Sequence, residues 1–151
     1  MHKQHAVRFA VTVALGCTAI VACSESKPTA AAWRAKVVPI CTQMIADRNA
    51  GTVGFTTAVP TVEQLSAFYV GFAPQFAAAA KKIEALTRPS GIDSELKTLF
   101  AALDAAVADA EQSAKDPAAV QAEIDGGEQT KPVVLALQAA TTAAGLPECN
   151  G

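Results

Sequence analysis

Ser90-Gly91-Ile92-Asp93-Ser94-Glu95-Leu96-Lys97-Thr98-Leu99-Phe100-Ala101-Ala102-Leu103-Asp104-Ala105-Ala106-Val107 carries the clearest periodicity in the chain. Ile92, Leu96, Leu99, Phe100, Leu103 and Val107 recur at three- and four-residue steps, which places them on one face of an α-helix with the charges opposite. Ser90 or Asp93 suits its N-cap, and the pattern lasts to about Lys115. Upstream, Thr61-Val62-Glu63-Gln64 fits a capping box, a hydroxyl residue with Gln three places on. It opens a second helix running to about Thr87, with Leu65, Phe68, Phe72, Phe76 and Ile83 on its apolar face. Gly71 and Pro74 predict a bend near its middle. Farther upstream, residues 30–49 repeat Trp33, Val37, Ile40, Cys41, Met44 and Ile45 at helical steps, with Pro39 off that face and Asn49 and Gly51 as stop signals. Downstream, Asp116-Pro117 is an N-cap followed by proline at the first helical position. That last segment breaks around Gly126-Gly127, restarts near Thr130 and ends at Gly145.

Four amphipathic segments with short connections and no strand pattern predict an all-α fold, an up-and-down four-helix bundle. Residues 30–151 form this domain. Helices of about 25 residues would make a rod close to 40 Å long.

The chain before it has a different character. Lys3 and Arg8 precede residues 9–22, an uncharged apolar run shorter than the roughly 20 residues that a membrane span needs. A cationic start, a short apolar stretch and a small residue at its end describe an export signal over residues 1–22. Ile20-Val21-Ala22-Cys23 resembles the lipobox of bacterial lipoproteins. The resemblance implies cleavage before Cys23, a diacylglyceryl group on its sulfur, and residence on the outer face of the cytoplasmic membrane. Cys17 after Ala14-Leu15-Gly16, and Ala30-Ala31-Ala32, stand as other processing points. With Cys23 lipidated, residues 23–29 are a tether whose extended reach is roughly 20–25 Å. Two acyl chains meet the requirement for stable membrane residence.

Removing 22 residues from 151 leaves 129. Both histidines leave with the signal, as do two of the 12 basic residues, against 14 acidic ones that stay. Mild acidity excludes a nucleic-acid binder with a basic stripe, and argues against polybasic attachment to anionic lipid. Of four cysteines, Cys17 is lost and Cys23 is capped, so Cys41 and Cys149 remain. In an exported protein an even remainder reads as a disulfide, clamping the first helix to the end of the last.

Without histidine there is no Ser-His-Asp or Cys-His nucleophile arrangement and no Glu-x-x-His di-iron pair. Asp93 with Glu95, Asp104 with Asp109 and Glu111, and Glu123, Asp125 and Glu128 fall mostly opposite the apolar stripes, a solvated face with no buried pair. The run 123–128 lacks the alternating oxygen ligands of an EF-hand, and no Gly-rich loop ends in Gly-Lys-Ser/Thr. No catalytic residue, metal or cofactor is expected. Phe68, Tyr69, Phe72, Phe76 and Phe100 read as helix core, or as the lining of a pocket for an apolar ligand. Trp33 either plugs one end of the bundle or rests at the headgroup level.

The exported part also resembles the small, alanine-rich helical lipoproteins of actinobacterial cell envelopes, through Trp33, Cys41 and the ending Gly145-Leu146-Pro147-Glu148-Cys149. That resemblance supports the Cys41–Cys149 pairing and transfers no activity. The expectation is a non-enzymatic envelope lipoprotein that binds a protein or envelope partner, with a carrier of an apolar or lipidic molecule as the alternative.

Overall fold

The computed structural model describes residues 26–55, 59–127 and 131–150. Cys23, the expected signal over 1–22, Glu128 and Thr130 lie outside them. Among the described residues the fold is all-helical, with α1 Ala30–Thr52, α2 Val62–Glu84, α3 Asp93–Ser113, α4 Pro117–Gly126, α5 Pro132–Ala143 and a closing 3-10 turn Pro147–Asn150.

Local chemistry sets most of the boundaries. At α2 the reciprocal capping box forms: Thr61 Oγ1 accepts from the Gln64 amide at 3.2 Å, and Gln64 Oε1 from the Thr61 amide at 2.9 Å. Asp116 caps α4 by accepting from Ala118 N at 2.9 Å, with Pro117 at the first position. α5 ends in a Schellman motif. The Leu146 amide donates to Thr141 O, and the Gly145 amide to Thr142 O. Gly145 takes φ +73° to turn the chain there.

Several expectations are corrected. α3 has neither Ser90 nor Asp93 as its cap; Ile92 holds that position with no side-chain bond. Asp93 lies one residue inside, where its charge still complements the helix dipole. α1 runs past Asn49 to Thr52, and α2 stops at Glu84 rather than Thr87. Gly71 and Pro74 do not interrupt α2; both sit on its exposed side, where a carbonyl left without an amide partner is open to solvent. The last segment is two helices, α4 and α5.

The α3 stripe behaves as its spacing predicts: Leu96, Leu99 and Leu103 are buried between α2 and α5. α1 packs on α2, α2 on α3, α3 on α5, and α4 sits against α2 and α3. Along their backbones α1 and α5 do not meet; the 3-10 turn packs on both and fills the gap. Arg34 Nε of α1 also donates to Ala144 O at 2.7 Å, capping the end of α5. Trp33 is 1% exposed and part of this core, which overturns the headgroup reading.

Cys41 and Cys149 are bonded, with Cα atoms 5.0 Å apart and a sequence separation of 108. In the chain-entropy account, closing a loop of about 100 residues contributes about 4.7 kcal/mol. Reduction, or Cys41→Ser with Cys149→Ser, is expected to lower unfolding free energy by about 3–5 kcal/mol. Urea denaturation with and without reductant measures it, and equal midpoints would refute the assignment of closure to this bond.

Candidate functional site

Two features stand out from the packed helices: an aromatic row on α2, and a buried charged cluster beneath it. Phe68, Phe72 and Phe76 follow at i, i+4 spacing and so share one stripe. Their rings stack in sequence, with centroids 5.1 Å apart at 13° and then 5.5 Å apart at 15°. Tyr69 meets Phe68 edge-on at 5.2 Å, and Phe55 does so from the α1 end at 6.2 Å.

This row borders several spaces, including an open one of about 430 Å³ beside Phe55, Leu65, Phe68 and Ile124, and two of them differ in kind. Outside, between α1 and α2, lies an open groove of about 540 Å³ with Phe55, Phe68 and Phe72 on its floor and Asp47, Gln64 and Gln75 at its rim. Small residues make it: Ala50, Gly51, Gly54, Ala67 and Gly71 face it from both sides. A Cβ at Gly51 would stand 2.9 Å from the Phe68 ring, so the close approach there requires glycine. Between α1, α2 and α5, a partly open gap of about 100 Å³ lies against Tyr69, Phe72 and Phe76, lined also by Met44, Val133 and Leu137. Pockets for drug-sized ligands occupy roughly 300–1,000 Å³. Phe100 joins neither space. It is buried on α3, and the Arg88 guanidinium lies 4.9 Å from its ring centroid.

Beneath the row, Glu123 of α4 is only 4% exposed. The Tyr69 hydroxyl donates to its Oε1 at 2.7 Å. Lys131 Nζ stands 2.8 Å from its Oε2, an ion pair whose angle falls outside that of a hydrogen bond. The same ammonium donates to Asp109 Oδ2 of α3 at 2.8 Å and lies 6.0 Å from the Tyr69 ring centroid. Four helices thus converge on one cation. Burial pulls the Lys131 pKa down, but the bond to Asp109 and the pairing with Glu123 outweigh it, leaving the value raised above 10.5. Asp109 and Glu123 therefore form a carboxylate pair bridged by lysine, where the helical spacing predicted only a solvated face.

Two sequence signals could have revealed this cluster. Lys131 is the N-cap of α5, the wrong sign for the positive end of a helix dipole, so its charge needs carboxylates elsewhere. Glu123 lies between Val120 and Ile124 on the inward face of α4, an acid on an apolar stripe. Its oxygens are taken by Tyr69 and Lys131, which removes it from any cation loop over 123–128. Chemically the arrangement is a neutralised clamp: the carboxylates are occupied by donors that hold them in place.

Comparison with protein-family models, curated proteins and solved structures returns no match for this chain, so function rests on these residues alone.

Lys131→Met strands the buried Glu123 carboxylate and is expected to cost about 3–5 kcal/mol. Adding Glu123→Leu removes the stranded charge and is expected to recover most of that loss, read by urea denaturation. No recovery would mean that α4 docks by other means. The pH dependence has a definite sign. A raised lysine pKa means its contribution is complete below about pH 10.5 and is lost as pH climbs through the folded value. NMR titration of the Lys131 side chain should place its midpoint above that of a free lysine side chain, and Glu123→Gln should lower it.

Proposed function

We propose that this chain is an exported lipoprotein, held at the outer face of the cytoplasmic membrane by acylation of Cys23. In this reading residues 23–29 tether a non-enzymatic body that binds a protein or envelope partner. Its architecture is best read as an up-and-down four-helix bundle in which α5 takes the fourth place and α4 is a side helix. Support for export comes from the Cys41–Cys149 bond, a linkage of oxidising compartments.

The observation that carries the choice of an adaptor over a carrier is the distribution of space around the aromatic row. The partly open gap of about 100 Å³ is too small for a lipid tail. The larger spaces are open grooves: the α1–α2 groove, with aromatic floor and polar rim, and one of about 430 Å³ beside Phe55, Phe68 and Ile124, the composition of a surface that meets a partner. The carrier reading needs an interior that Phe72 and Phe76 instead fill.

Intact-mass analysis of protein extracted from membranes is expected to show diacylglyceryl mass on Cys23, a 2 Da gain on reduction of the single disulfide, about 1 Da per hydrogen, and no co-purifying lipid. A photo-crosslinking residue at Gly71, whose side-chain position is open, should capture a protein or cell-wall partner. The same residue at exposed Ala105 on α3 should not. A stoichiometric apolar ligand in the native mass would instead establish the carrier.

A further inference from the structure

The chain's formal net charge of −2 conceals how its charges are arranged along the body. Arg34 on Ala144 O fixes the start of α1 beside the end of α5, and its charge also acts on Glu95 at the start of α3. These ends, with the turn from α2 to α3, make up the end of the body where the chain enters α1. Lys27, Lys36, Lys81, Lys82, Arg88 and Lys97 gather there, all exposed. Lys81 and Lys82 occupy the last turn of α2. None of these five lysines is in an ion pair among the described residues. Four carboxylates of the described residues share this end, Glu84, Asp93, Glu95 and Glu148, and the tether sequence adds Glu25. Asp93 and Glu95 lie in the first turn of α3, where the helix dipole offsets them.

The other end is acidic. Glu63, Glu111, Asp116 and Asp125 lie there, against two cations: exposed Lys115, paired with Glu111, and half-buried Arg48 near the end of α1. α1 alone, at 23 residues, spans about 34 Å, while charges are screened over about 8–10 Å at physiological ionic strength. A surface at the entry end therefore meets the cations without the distal acids.

We propose that the entry end of this body is a docking face for anionic lipid headgroups, which stands the helices upright with the acidic end and the α1–α2 groove's aromatic floor directed outward. It rests on the anchoring of Cys23 proposed above, because the tether brings this end to the bilayer. So small a surplus of cations would not hold a free protein on a membrane. It is enough to orient one already attached, since each lysine or arginine near an anionic surface shifts the balance roughly fivefold.

The test uses the mature protein extracted with its anchor and reconstituted into vesicles of phosphatidylcholine, alone or mixed with phosphatidylglycerol. Amine-reactive labelling is followed residue by residue. At low salt, Lys81, Lys82 and Lys97 are expected to label roughly threefold or more slowly in the anionic vesicles, with Lys115 unchanged and high salt erasing the difference. Lys81→Glu with Lys82→Glu, both on exposed positions, should abolish the slowing at Lys97. Equal labelling in the two vesicle types, or equal slowing at Lys115, overturns the proposal. The anchoring reading is judged separately by acyl mass on Cys23. If that mass is absent, the free thiol is coupled to a maleimide lipid and the same labelling decides the face.

Discussion

Closure of this body depends on the bond between Cys41 and Cys149. α1 packs on α2 alone among the long helices, so one of its flanks would be open without the turn Pro147–Asn150. That turn is held from two sides. Cys149 bonds to α1, while Thr141 of α5 donates its hydroxyl to Asn150 Oδ1, and Asn150 Nδ2 donates to Thr142. The Schellman motif at Gly145 aims Leu146 inward, where it is 1% exposed and packed with Trp33 and Val37 in the core. A covalent bond stands where α1 and α5 make no helix-to-helix contact.

The buried cluster solves a different problem at the other end. α4 is 10 residues long, too short to be stable by itself, and Val120 alone among its apolar residues is fully buried. Glu123 gives it a fixed docking point, since a carboxylate cannot enter the interior unless Tyr69 and Lys131 are there to receive it. Ion pairs of this kind add little net stability compared with an apolar replacement, because desolvation offsets the Coulomb gain. What they add is position. A slip of α4 by one residue would bury an unpaired charge.

The helices were legible because their signals are local. The α3 stripe, the Thr61–Gln64 box and the Asp116-Pro117 start each depend on residues within a turn or two. The Cys41–Cys149 pair was legible by counting. Signals that depend on other elements were not. Pro74 and Gly71 read as an interruption because sequence alone does not show that they sit on the exposed side of a continuous helix. Glu123 read as solvated because its partners lie 54 residues away on α2 and past the α4–α5 break. Phe100 was grouped with the α2 aromatics by residue type, yet the fold sets it under Arg88. For the same reason the acidic total concealed the basic end.

The 108-residue span of the disulfide also orders events in time. Synthesis proceeds from the N terminus, so Cys41 emerges long before the residue it must find. Until Cys149 arrives, α1 holds an unmatched thiol and an uncovered flank. The contact between α1 and the turn Pro147–Asn150 therefore forms after every α-helix has been made, and non-local closure of this kind is the slow part of folding. A chain cut short by even a few C-terminal residues would keep every helix and still lack the means to close.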